Sequence, residues 1–244
     1  LEAKIEERLQ AFIAVGTTAA DVALQCVYPV SDKKQADKVF KKRRTGENVS
    51  EAESEVFKGY LTYFLFKLYA KYNIATELHV GAMRNNNSAM LEKLGLDTGF
   101  DSISEENSIK QTSRLFDKLN MEKAFPKTIL FNLNPKMNTE IMTLIGCFQS
   151  DEAKGKVQYG PAWWFLDNKV GMEKHLEDLT ATGHIGAFVG MLTDSRSLLS
   201  YPRHHYFRRI LCNYLGTLIE NGEMTSDLEF VGEVVKDVCY NNSI

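Results

Sequence analysis

No run of eighteen apolar residues occurs in the 244-residue sequence, and a membrane-crossing helix needs about that many. No membrane partner is therefore expected. Leu1, Glu2, Ala3 and Lys4 open an amphipathic helix rather than a charged-then-apolar export signal, as if the chain began mid-domain. An excess of one charge sign is also missing. Twenty-nine basic residues against 32 acidic leave a net charge of −3, without the one-sided basic field that nucleic acid binding needs. Cysteine is sparse: Cys26, Cys147, Cys212 and Cys239 lie far apart without CxxC spacing. That excludes a disulfide framework, and the apolar neighbourhoods predict buried thiols in a reducing cytoplasm. Walker loops, GxGxxG fingerprints, GxSxG elbows and HExxH helices are absent. No Gly/Ser linker, repeat or low-complexity tract marks an internal boundary.

What is present is a 44% hydrophobic chain long enough to bury one large core. Leu1, Ile5, Leu9, Phe12 and Ile13 follow helical spacing up to Gly16. Residues 20–27 read as a buried strand ended by Pro29. Ser50 with Glu53 makes a capping pattern for a long aromatic helix over 51–72. Strands are then predicted at 75–81, 127–133, 157–165 and 185–192, with helices over 136–149 and 172–182 and two more closing the chain. Strands separated by crossover-length helices give the fold class α/β, of the (β/α) TIM-barrel type. About five of eight β/α units are expected, with residues 1–244 as the C-terminal part of a single barrel domain.

In such folds reactive groups gather where strands end. The second predicted strand runs into His79, Arg84, Asn85, Asn86 and Asn87, which suits a polar site and a capped loop equally. The fourth carries Trp163 and Trp164, with Asp167 and Asn168 just beyond; paired indoles fit a core, or a dry wall for a sugar. The fifth runs into Asp194 and Arg196, whose spacing fits a structural ion pair as well as a guanidinium holding a catalytic carboxylate ionised. Lys41, Lys42, Arg43 and Arg44, followed by Glu47, Glu51 and Glu53, read as a solvated helix end. His204 and His205 read as a helix start.

LHVGAMRNNN (78–87), GLDTGFDS (95–102), WWF (163–165) and LTDSRSLLSYPRHHYFRR (192–209) together resemble the uronate isomerase family of the amidohydrolase superfamily, in one order over nearly the whole chain. The resemblance implies a β/α barrel that interconverts D-glucuronate with D-fructuronate, or D-galacturonate with D-tagaturonate, through a cis-enediol. It implies Asp194 as the proton-transfer carboxylate close to a divalent metal, Zn by family likeness, and Arg196 as its catalytic neighbour. His79, Arg84, Trp163 and Asp21 are implied as substrate contacts, although Val22 follows Asp21 where the family often has histidine. Guanidinium forks match carboxylates in two-point contact, which suits Arg84 and Arg196 to a sugar acid.

One departure from the family concerns metal. None of His79, His175, His184, His204 and His205 forms the His-x-His pair that the family places on its first strand. The expectation is a C-terminal portion that holds metal weakly and turns over little by itself, with an N-terminal segment or a second copy covering the open barrel edges. Two other readings stay open: a metal-dependent hydrolase of the same superfamily, and a noncatalytic sugar-acid binding or assembly module.

Overall fold

The computed structural model describes residues 1–105, 109–192, 194–195 and 197–243. The chain divides into two compact units, Leu1–Ile129 and Leu130–Ile244. In chain order the first contains α1 (Glu2–Ile13), β1 (Ala19–Leu24), α2 (Lys33–Arg44), α3 (Glu51–Lys71), β2 (Ala75–Val80), β3 (Ala82–Met83), α4 (Ser88–Leu94), β4 (Ser102–Ile103) and α5 (Ile109–Met121). β5 (Thr128–Asn132) straddles the division. The second unit continues with α6 (Asn138–Gly146), β6 (Val157–Tyr159), α7 (Lys169–Thr182), α8 (Arg203–Glu220) and α9 (Leu228–Cys239).

The architecture is mixed α/β, with a parallel four-stranded sheet in the order β1-β2-β5-β6. β1 and β2 run in register from Ala19 opposite Ala75 to Leu24 opposite Val80. Among the described residues no helix is long and apolar enough to cross a membrane.

In the first unit α3 starts where its sequence says. The Ser50 hydroxyl accepts from the Glu53 amide while the Glu53 carboxylate accepts from the Ser50 amide. Its apolar faces bury Leu68 and Tyr69 against Leu9 of α1 and Ile74, and Phe66 against Phe116 of α5. Gly59 permits close approach, since a Cβ there would lie 2.0 Å from the Pro29 carbonyl oxygen. The basic end of α2 is exposed apart from Lys42, which pairs with Glu53 at 2.7 Å.

In the second unit the rings of Tyr159, His175, Phe188 and Phe207 pack in succession, tilted or edge to face, from β6 to α8. His204 and His205 are exposed in the first turn of α8, as their helix-start reading requires.

Two expectations are corrected. The predicted fifth strand over 185–192 does not form: Ile185–Ala187 is a 3₁₀ turn and the rest is loop. Gly190 adopts φ +72°, outside the extended region, and a Cβ there would meet the Val238 carbonyl oxygen at 2.2 Å. The Asn242 amide takes the carbonyls of Gly186 and Phe188, and the Ser243 hydroxyl takes that of Val189. Side chains thus occupy acceptors that a strand neighbour would need. The fourth run likewise is strand only over Val157–Tyr159, because Gly160 and Pro161 end it. The second correction concerns the thiols: Cys147 and Cys212 are exposed and Cys26 and Cys239 partly so. Cys212 and Cys239 lie on helices whose buried residues are others, and Cys26 and Cys147 lie in the bend after β1 and the turn after α6.

Candidate functional site

In the first unit the sheet presents one chemically dense face. Parallel register puts Asp21 beside Glu77 and Ala23 beside His79, and alternation along each strand turns Asp21, Glu77 and His79 to the same side. His79 Nδ1 and Asp21 Oδ1 are 2.7 Å apart. The histidine side chain is 8% exposed and the carboxylate 60%, so water reaches the pair from the aspartate side only. Burial, and then the charge of Asp21, push the Glu77 carboxyl above its usual range. A buried acid beside a second acid resists ionising, and Glu77 was not singled out from the sequence. The only signal was alternation: counting back two from His79 on the same strand reaches it.

Beyond β2 the chain turns through β3, which pairs antiparallel with β4. Arg84 projects from this turn, 45% exposed, with Nη1 at 3.4 Å from Asp101 Oδ2 and 3.7 Å from Asp97 Oδ1. Asn85 and Asp97 adopt φ values of +54° and +57°. The Asn run therefore makes the capped loop that its composition allowed: Asn86 bonds to the Met83 and Phe100 carbonyls, and Asn87 caps α4. It also holds out a guanidinium.

In the second unit the ends of β5 and β6 are closed by a buried amide network. Asn138 Nδ2 donates to Asp178 at 2.9 Å, and its Oδ1 accepts from the Tyr159 hydroxyl at 2.5 Å and from Asn132 at 3.4 Å. Asn132 exchanges two further bonds with the Asn134 backbone. Burial raises the Tyr159 pKa, keeping the phenol neutral. His175, wholly buried, is held down to about 4 by desolvation, against a partial opposing effect from its bond to the Gly160 backbone. This network too escaped the sequence reading, although Asn132-Leu133-Asn134-Pro135 at a strand exit was its trace.

Trp163 is half-buried against Trp164, whose ring stacks on Phe165 at 4.8 Å. Trp164 has φ +50° and Asp194 φ +44°. Neither is glycine, and a backbone held in that region costs roughly 1 to 3 kcal/mol, a cost that concentrates at working sites. Asp167, beside the indoles, pairs with Arg203, and Asn168 caps α7. Asp194 is exposed. Arg196 lies outside the described residues, so its pairing with Asp194 does too. Of the expected site residues, then, the structure joins Asp21 to His79, and it places Arg84 among acids not foreseen.

The family model for glucuronate isomerase matches residues 1–244 in full. The chain belongs to the glucuronate isomerase family. Among the relatives of this family, the uronate isomerase of Caldanaerobacter subterraneus subsp. tengcongensis is 49% identical over 240 residues, covering 98% of this chain and 52% of the relative. That of Clostridium acetobutylicum is 46% identical, covering 98% and 51%. The solved uronate isomerase of Thermotoga maritima superposes with a TM-score of 0.88 at 32% identity, over 99% of this chain and 52% of that one. The glucuronate isomerase of Caulobacter crescentus gives 0.88 at 26% identity, over 98% and 49%. The chain thus spans about half the length of the family members it matches.

Proposed function

We propose that this chain is the C-terminal portion of a uronate isomerase and carries part of the chemistry that interconverts D-glucuronate with D-fructuronate and D-galacturonate with D-tagaturonate, with little or no turnover by itself. The observation that carries this reading is the family match along every residue from 1 to 244. The four-stranded sheet is proposed as part of a β/α barrel, and the protein is proposed to work in the cytoplasm.

Aldose–ketose isomerisation moves one proton from C2 to C1 through a cis-enediol and shifts a second between the adjoining oxygens. It needs a carboxylate over the C1–C2 edge and cations for the sugar's own acid group. Asp194, exposed and held in an uncommon backbone conformation, is the proposed proton carrier. Arg84 supplies a guanidinium for the sugar carboxylate, with Arg196 proposed beside Asp194. Asp21 fixes the ring of His79, which is proposed to bond a substrate hydroxyl. Trp163 is the proposed apolar wall.

Among the described residues no group of three or more His, Cys, Asp or Glu side chains is placed to hold a metal ion. The described donors therefore do not fit a metal on their own, and no step is routed through one. A divalent ion near Asp194, proposed from family likeness, would take its remaining ligands from outside this set.

The test is isomerisation of both uronates, with added Zn²⁺ or Mn²⁺. It compares this chain alone with this chain mixed with the part of the Caldanaerobacter relative that it does not match. Turnover confined to the mixture, abolished by Asp194→Asn with the fold retained, upholds the proposal. Full turnover by the chain alone, or none in a mixture shown to assemble, rejects it.

A further inference from the structure

The segment 95–102 stands out in the sequence, yet none of its residues enters the chemistry proposed above. Its fold gives it a task. Asp101, on the approach to β4, has a side chain only 5% exposed. Its Oδ1 accepts from the Asn85 backbone amide at 2.9 Å, while Oδ2 lies 3.4 Å from Arg84 Nη1. One carboxylate therefore grips both the arginine and the peptide that follows it. The support under that carboxylate is built from the same turn. The Asn86 amide bonds to the Phe100 carbonyl at 2.7 Å, its side chain bonds to Met83, Phe100 and Ser102, and the Ser104 amide bonds to Gly81 at 2.8 Å.

We propose that Asp101 is a positioning residue for uronate recognition, fixing the Arg84 guanidinium so that its exposed part is aimed at the substrate carboxylate before substrate arrives. The proposal rests on the reading of Arg84 as the sugar-acid contact. Asp97 is the nearby alternative, but it lies 3.7 Å from the same nitrogen with its side chain 76% exposed. Water and salt screen such a contact, and it orders a long side chain poorly. A low-dielectric carboxylate tied to backbone does the opposite. Ordering one rotamer-rich side chain in advance is worth about a tenfold gain in affinity.

Two measurements test this, one of which needs no substrate. In the chain itself, nitrogen-15 NMR of the arginine side chains reads rotation of the Arg84 guanidinium. Slow rotation is expected in the unsubstituted chain and in Asp97→Ala, and fast rotation in Asp101→Ala and, to a smaller extent, Asp101→Asn, whose amide oxygen still accepts from Asn85. In whichever sample turns over uronate, Asp101→Ala is expected to raise KM about tenfold with little change in kcat. Asp101→Asn should recover part of that loss, and Asp97→Ala should stay within about twofold of the unsubstituted protein. Arg84 rotation unchanged in both Asp101 variants, or released by Asp97→Ala instead, overturns the proposal. Slow Arg84 rotation that depends on Asp101, with no uronate turned over by any sample, upholds the positioning and counts against the isomerase reading alone.

Discussion

Along β1 and β2 the polar groups are ionisable side chains reached by water on one side, whereas at the ends of β5 and β6 they are chiefly amides and a phenol, buried and bonded to one another. Asp21, His79 and Arg84 each lean on acidic or basic partners across short gaps. Asn132, Asn138 and Tyr159 close their valences among themselves and on Asp178. The contrast follows from solvation. An ion intended for a ligand is cheapest where water still reaches it, while a sealed interior tolerates polar atoms only when all are bonded. The first region therefore holds reactivity at little cost to the fold, and the second holds the fold.

The most damaging way to break that division is Asn138→Ala. It strips bonds from buried Tyr159 and Asp178 at about 2 kcal/mol each, so urea unfolding should show a loss of about 4 kcal/mol. A loss no larger than that of a surface substitution would place the network among dispensable contacts. Next comes acid. His175 titrates near 4 when folded and near 6.5 when unfolded. Its depressed value means that stability is intact above pH 6.5 and falls as pH drops toward 4, by about 3 kcal/mol in all. His175→Leu should flatten that slope in denaturation curves collected across the range.

Smaller effects belong to the first region. Asp21→Asn should lower stability by about 1 kcal/mol or less, since its carboxylate is largely exposed, while uronate turnover falls steeply. A stability loss as large as that of Asn138→Ala would erase the contrast. The same substitution should bring the Glu77 titration down, because the charge of Asp21 is one of the two causes raising it. Carboxyl-carbon NMR would register that change without altering the fold.

Local signals were legible where chain neighbours alone decide the outcome. The Ser50–Glu53 box, the strand run from 75 and the helix start near Arg203 were marked by neighbouring residues, although β2 still takes its pairing from β1. The run at 185–192 failed as a strand because its conformation is set by Val238, Asn242 and Ser243, some fifty residues away. The Asp21–His79 pair joins residues 58 apart in sequence. Each end was marked by its place at a strand, but only register brings them into contact. Asp101 was hidden for a further reason: nothing in an acidic side chain announces that it will be buried beside a particular arginine.

The contact of Gly190 with the Val238 carbonyl, and the grip of Asn242 and Ser243 on 186–189, bear on how this protein can be recombined. The stretch 186–190 has its shape specified by the region around 238–243, so the two behave as a single heritable block. Chimeras that exchange both together between relatives should retain their architecture. A crossover placed between them, with a bulkier residue at 190 or a changed length after Val238, would inherit one half of a lock without its key.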